Sequence, residues 1–301
     1  MNKIKTHRLA AEKKSTHAAG SLKSSKNLNF SFIGAGNIAK SLITGLLKAD
    51  YSTQKFIVSN RSQEKLLNFQ KEFGVCIAEN NSKAVENVDI IFLAVKPAII
   101  QTVCKEIANI PLKKNSLIVS LAAAISTNTI TKALGDSSLP IVRAMTNTAS
   151  GINEAVTSLF FNKNVTESQK KIIIEIFNSV GRTFCSKNET EQNKWTSLIG
   201  CGTAYLFLFT EALEKAAISL GLSKKIVYEV SRDLVYGSAL LAKNSDETLM
   251  ELRKKVTTPK GITAAAVDIL LEGNYFDLFK QALVAAVKRE KNIADEYKKL
   301  V

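Results

Sequence analysis

Phe30-Ser31-Phe32-Ile33-Gly34-Ala35-Gly36-Asn37-Ile38-Ala39-Lys40-Ser41-Leu42-Ile43-Thr44-Gly45-Leu46-Leu47 is the stretch on which the fold turns. A short apolar run meets Gly34-Ala35-Gly36, and Leu42, Ile43, Leu46 and Leu47 then come at helical spacing. The period changes from strand to helix across a tight turn. In that setting Gly34-x-Gly36-x-x-Ala39 has the form of a dinucleotide-binding fingerprint. Gly34 permits the turn, Gly36 lets a pyrophosphate approach the backbone, and Ala39 lets helix and strand pack closely. Asn37 and Ile38 open the helix, whose free amides bind phosphate. Taken alone, these residues read equally well as a plain glycine turn; the alternating strands and helices after residue 47 decide for the cofactor.

Outward from this unit, residues 56–58, 90–95, 117–121, 141–142, 156–161 and 182–185 read as strands, interleaved with helical patterns such as 64–73 and 167–180. Such alternation predicts a mainly parallel, doubly wound sheet. Past Glu191 the strand signals stop, and helices are expected over 193–220, 223–243 and 247–255, then to the end after a Pro/Gly loop. The chain thus divides into a basic tail (1–29), a dinucleotide-binding α/β domain (30–190) and an all-helical domain (191–301). Residues 195–209 are apolar on nearly every side, which a small helical domain covers only with a partner subunit. The uncharged run 195–210 is shorter than the roughly 20 residues of a spanning helix, so a soluble protein without membrane partners is expected.

The chain has 301 residues, 46% of them hydrophobic, and a net charge of +14. Residues 1–29 supply +6 of that charge through seven Lys or Arg against Glu12 alone. This Lys- and Ser-rich tail reads as a solvated extension, and nucleic acid is not expected as a partner. Cys76, Cys104, Cys185 and Cys201 show no metal-ligand spacing and read as reduced thiols of a cytoplasmic protein. His7 and His17 both lie in the tail, so the body has no histidine acid, triad or His-ligated metal, and no metal is expected.

At the end of the second strand, where a carboxylate would take the ribose hydroxyl of NADH, the sequence reads Ser59-Asn60-Arg61-Ser62. No acid appears before Glu64, and an Arg flanked by hydroxyls and an amide suits a 2′-phosphate. NADPH is therefore the preferred cofactor, with NADH possible, although the same four residues also read as a polar turn. Ala94-Val95-Lys96-Pro97 closes the third strand at the carboxyl edge, where ligands of such folds bind. Lys96 either faces the nicotinamide half or is a solvated lysine at a helix start.

The ordered set GAGNIA (34–39), SNRS (59–62), AVKP (94–97), Arg143-Ala144-Met145-Thr146-Asn147-Thr148, Gly200-Cys201-Gly202 with Ala204-Tyr205, and Thr257-Thr258-Pro259-Lys260-Gly261-Ile262-Thr263 resembles the pyrroline-5-carboxylate reductases from Phe30 to about Asn292. The resemblance implies a Rossmann domain and a helical dimerisation domain that exchanges helices with its partner. It also implies NAD(P)H-dependent reduction of 1-pyrroline-5-carboxylate to L-proline, the last step of proline biosynthesis, by a homodimer or a higher oligomer of dimers. Met145 and Asn147 are placed by it near the nicotinamide, and Thr263 at the position that hydrogen-bonds the ring nitrogen; from the residues alone, Met145 reads as core, Asn147 as a turn residue and Thr263 as a helix N-cap. Thr257, Thr258, Lys260, Gly261, Ile262 and Thr263 form the substrate loop. Several positions depart from the family pattern. Thr146 and Ala149 stand for prolines; Ile199, Cys201 and Thr203 replace Ser, Ser and Pro; Lys260 and Ile262 replace Gly and Thr; Ala124 replaces a glycine.

Reducing a cyclic imine needs a hydride at carbon and a proton at nitrogen. Such an imine is basic enough to arrive partly protonated, which suits a body without histidine. Two other readings compete. A β-hydroxyacid-type dehydrogenase would carry Asn one turn after the catalytic Lys, whereas Lys194 is followed by Leu198. A non-catalytic NADP-binding regulatory relative would account for the altered substrate loop.

Overall fold

The structure, a computed structural model, describes residues 25–298. Its sheet has eight strands in the order β3-β2-β1-β4-β5-β6-β7-β8. These are β1 (Phe30–Ile33), β2 (Phe56–Ser59), β3 (Cys76–Ile77), β4 (Ile90–Leu93), β5 (Leu117–Ser120), β6 (Ile141–Met145), β7 (Ala155–Phe161) and β8 (Gly181–Cys185). The first six run parallel, with Phe30 opposite both Phe56 and Ile90. β7 reverses against β6 and carries β8 parallel to itself.

Between the strands lie α1 (Asn37–Lys48), α2 (Gln63–Phe73), α3 (Asn81–Ala84), α4 (Ile100–Ile107), α5 (Thr127–Leu134) and α6 (Glu167–Asn178). Helices on both faces bury the central strands completely, which explains their continuous apolar runs. On one face Phe30, Phe32, Phe56 and Phe92 pack with Leu42, Ile43 and Leu46 of α1 and Phe177 of α6. On the other, Ile33, Ile91, Leu93 and Ile118 pack with Val103 of α4 and Ile130 of α5.

The helical half comprises α7 (Glu189–Ser219), α8 (Lys224–Lys243), α9 (Leu249–Lys255), α10 (Ile262–Glu272) and α11 (Tyr275–Lys298). Asn188 caps α7 by accepting from the Glu191 amide. Only the first part of α7 is covered: Gln192, Thr196, Ser197 and Ile199 are buried, whereas Leu206, Phe207 and Leu208 are 60%, 69% and 64% exposed. α8 lies on α7, joined by Ser231 Oγ donating to Glu214, and α11 meets α7 through the perpendicular rings of Tyr205 and Phe279.

One expectation is corrected. The folded part begins before Phe30, because Ser25 and Leu28 are buried and the Asn29 carbonyl accepts from the Asp89 and Ile90 amides. Ser25 donates to Glu175, 150 residues away, a contact no local pattern announces. The rest of the tail, with His7 and His17, lies outside the described residues. The apolar run 195–210 lies inside α7, in line with the helix expected over 193–220. It belongs to a 31-residue helix that, by length and composition, is long and apolar enough to cross a membrane.

Candidate active site

β1 ends directly beneath the fingerprint. Gly34 has φ 109°, and a Cβ there would lie 2.6 Å from the Ala94 carbonyl oxygen, so conformation and space both require glycine. Its amide donates to the Ser59 carbonyl at 2.8 Å, which ties the turn to the end of β2. Gly36 occupies the N-cap of α1 without a side-chain cap. The first helical bond runs from Lys40 N to Gly36 O, so the Asn37, Ile38 and Ala39 amides have no helical carbonyl to donate to and form an anion-binding end. Ala39 is fully buried, as close packing of helix on strand requires.

A cleft of about 320 Å³ opens over this turn and is lined by Gly34, Ala35, Gly36, Asn60, Arg61, Ser62, Lys65, Asn81, Ala94, Val95 and Lys96. Fingerprint, SNRS turn and AVKP segment thus meet at one sheet edge. Ser59 is not in the lining; it is buried and donates from Oγ to Asn81 at 2.7 Å. Pro97 begins a short 3-10 turn leading into α4. Arg61 is not isolated, however. Its Nη2 lies 3.9 Å from Oε1 of Glu106 on α4, and Asn81 Nδ2 donates to the other oxygen of that carboxylate. The sequence shows no acid near the end of β2, but the fold brings one from 45 residues downstream, and no spacing rule reveals it.

A second cleft, of about 230 Å³, lies across the start of α1 and is lined by Ile38, Leu121, Ala144, Met145, Thr146, Asn147, Thr148, Gly200 and Thr203. Here β6 and α7 nearly touch: a Cβ on Gly200 would lie 2.5 Å from Met145 Cε. Asn147 Oδ1 is buried and has no hydrogen-bond partner, an acceptor held ready for a donor. Thr146, in a proline position of the family pattern, is buried and accepts from Thr157 Oγ1 at 2.8 Å, so a hydroxyl pair braces the loop.

Two residues before Met145, Arg143 is 3% exposed. It donates to Asn193 Oδ1 at 2.9 Å and has Glu189 at 4.0 Å and Glu290 of α11 at 3.7 Å. Burial pushes the Glu290 carboxyl up to about 7, against the pull of Arg143. Glu189 also accepts from the backbone amide and hydroxyl of Thr127. This cluster clamps β6 to both α7 and α11, and nothing in the sequence marked its two acids.

The substrate loop is formed but stands apart. Thr257 donates to the Arg253 carbonyl, the Gly261 amide to Thr258 O, and Lys260 adopts φ 61°. Lys260 and Ala124 (φ 65°), which stand where the family pattern has glycine, both adopt the left-handed backbone that glycine takes without steric cost. α10 starts at Ile262 with Gly261 as N-cap and no side-chain cap, so Thr263 is a first-turn residue rather than the N-cap. The Ile262, Thr263 and Ala264 amides precede the first helical bond, from Ala265 N to Gly261 O. Thr258, Lys260, Ile262 and Thr263 are exposed, and no loop residue lines either cleft. One chain brings most of the expected cofactor residues to two clefts and leaves the loop outside them.

The family model for pyrroline-5-carboxylate reductase dimerisation matches residues 189–293, and one described as NADP oxidoreductase, coenzyme F420-dependent, matches residues 29–124. The pyrroline-5-carboxylate reductase of Haemophilus influenzae is 33% identical over 263 residues, 87% of this chain and 96% of that protein. The chain belongs to the pyrroline-5-carboxylate reductase family. Among solved structures, the Coxiella burnetii pyrroline-5-carboxylate reductase superposes with a TM-score of 0.80 at 38% identity, covering 89% of this chain and 98% of that one. The Plasmodium falciparum pyrroline carboxylate reductase, solved with NADP bound, gives a TM-score of 0.81 at 26% identity, covering 89% and 99%. Membership in this family settles the fold class as a Rossmann-like sheet with a helical dimerisation region and the chain as an oxidoreductase that binds a pyridine nucleotide. The β-hydroxyacid reading finds no support.

Proposed function

We propose that the protein reduces 1-pyrroline-5-carboxylate to L-proline with NADPH, accepting NADH less well, in the cytoplasm, as a homodimer able to assemble further. In this dimer the loop 257–263 of one protomer closes the nicotinamide cleft of the other. The observation that carries the reading is the division of labour within one chain. Two clefts have the shape and lining for a dinucleotide, while an exposed helix start with free amides and a hydroxyl stands elsewhere on the same chain.

The amides of Asn37 and Ile38 would hold the diphosphate, and Arg61, beside Ser62 and Lys65, the 2′-phosphate. Ile38 and Met145 would bracket the nicotinamide, and Asn147 Oδ1 would accept from its carboxamide. When bound, the cofactor supplies the hydride. The amides of Ile262 and Thr263 bind the substrate carboxylate, and Thr263 Oγ accepts from the protonated ring nitrogen. The imine carbon receives the hydride as the C=N double bond becomes single, and the nitrogen keeps the proton it arrived with. No side chain need deliver one, so the protein's task is positioning.

Thr263→Ala removes the hydrogen bond to a charged nitrogen. It should lower kcat/KM by about 10- to 100-fold, with NADPH affinity unchanged in a fluorescence titration. Undiminished turnover in that variant would eliminate this arrangement. Absence of turnover of any cyclic imine by the wild type would favour the non-catalytic, NADP-binding reading.

A further inference from the structure

We propose that Glu106 sets how strongly the site prefers the 2′-phosphorylated dinucleotide, by holding Arg61 and competing with the phosphate for its guanidinium. The inference rests on the assignment of Arg61 to the 2′-phosphate. Folds of this kind that select NADH present a carboxylate at the end of the second strand. Here that strand ends in Ser59-Asn60-Arg61, and the carboxylate comes from α4 instead.

Its placement is built rather than incidental. Ser59 Oγ donates to Asn81 Oδ1 at 2.7 Å, Asn81 Nδ2 donates to Glu106 Oε2, and Ser82 Oγ donates to the Glu106 backbone carbonyl at 3.1 Å. The end of β2, the start of α3 and the C-terminal end of α4 are thereby fastened to one acid. Arg61 and Asn81 line the cleft over the glycine turn, and Glu106 stands behind them with Oε1 3.9 Å from Arg61 Nη2. To grip a 2′-phosphate, Arg61 must exchange this carboxylate for the phosphate, which also meets a nearby negative charge. With NADH the pair stays intact and nothing is lost. Glu106 therefore narrows the gap between the two cofactors and leaves the site able to use both. The side chains of Arg61 and Glu106 are 64% and 40% exposed, so solvent screening keeps the effect modest.

Glu106→Gln keeps the side-chain shape and an acceptor for Asn81 while removing the charge, on a surface position where folding is not at stake. Fluorescence titrations with NADPH and NADH read the result. The NADPH dissociation constant should fall by about two- to fivefold, the range for an exposed ion pair, and the NADH constant should change by less. In an Arg61→Ala background the Gln substitution should have a clearly smaller effect on NADPH, since only the direct repulsion between carboxylate and phosphate is left to remove. Equal changes for both cofactors, or a full effect persisting without Arg61, would overturn the proposal. Arg61→Ala alone separates it from the reading beneath it. If that variant binds NADPH as well as the wild type, the 2′-phosphate assignment itself fails. If it loses about tenfold or more while Glu106→Gln changes nothing, only the role of Glu106 falls.

Discussion

Phe92 and Phe207 are the same residue in opposite circumstances. Phe92, in β4, is fully buried, with its ring stacked 4.5 Å from that of Phe32. Phe207, in α7, is 69% exposed in one protomer and stands among Leu206, Leu208 and Phe209, all exposed as well. The sheet half completes its own core, whereas the helical half carries apolar surface that no other described residue covers, in keeping with its match to a dimerisation domain. The difference teaches that the two halves answer to different variables: sequence alone for the first, sequence and protomer concentration for the second.

Substitutions at these two residues test that comparison most severely. Phe207→Asp withdraws two rings from the dimer and adds two charges. It should weaken association by at least about 3–6 kcal/mol per dimer, from about 1.5–3 kcal/mol for each phenyl group. Sedimentation should then show monomers at micromolar concentration, with imine turnover lost and NADPH still bound. A Phe207→Asp protein that remains dimeric and active would place the subunit contact elsewhere. Phe92→Ala should cost about 3–5 kcal/mol through the cavity it leaves, and its loss of melting temperature should be the same at low and high protein concentration. If that loss shrinks as concentration rises, the sheet half is not self-sufficient.

The seam between the halves gives the third test. Arg143 faces two carboxylates but needs only one for neutrality. Glu189, fixed by Thr127, serves that role, and buried Glu290 carries the excess. Burial raises Glu290 from its ordinary 4.5 to about 7. A carboxyl raised on folding contributes stability that is whole below about pH 4.5 and is lost as pH rises through about 7. Glu290→Gln, a permanent stand-in for the protonated acid, should therefore gain on the wild type between those limits. The advantage should reach about 1–3 kcal/mol above neutral pH. Parallel melting curves for the two proteins from pH 5 to 8 would show that Glu290 does not titrate there. The smallest effect belongs to the loop. Lys260→Gly relieves a left-handed backbone at the cost of a freer unfolded chain, for a net gain of up to about 1 kcal/mol. KM for the imine should stay or fall. A rise would show that the ammonium also grips the substrate carboxylate.

What could be read in the residues tracks the range of the interactions. The β1-turn-α1 unit was legible because strand period, glycine pair and helix period lie within eighteen consecutive residues. The alternating strands, the SNRS turn and the long apolar helix were legible for the same local reason. β3, two residues long, is too short to make a pattern. The reversal of β7 is decided by neighbours, since an apolar strand reads alike in either direction. Glu106, Glu189 and Glu290 stayed hidden because each acts on an arginine far away in the chain. Lys260 and Ala124 were visible only as departures from a resemblance, and their positive φ supplies the physical content: both hold a backbone shape that glycine adopts most easily. The loop 257–263 was expected to face the glycine turn, yet within one chain it lines neither cleft, and its proposed seat on a partner depends on residues that no single-chain pattern brings together.

The unbroken course of α7 has a consequence for turnover. The helix borders the second cleft at Gly200 and Thr203 and continues to Ser219 through its exposed apolar surface. From Gly200 to Ser219 it extends roughly 29 Å. A tilt of about 5° at Gly200, enough to loosen the approach of Met145, would carry Ser219 sideways by roughly 2.5 Å over that length. No chain break absorbs such a swing before it reaches the neighbouring protomer. In the proposed dimer, a swing of α7 at the second cleft would therefore be passed to the twin subunit along one unbroken helix.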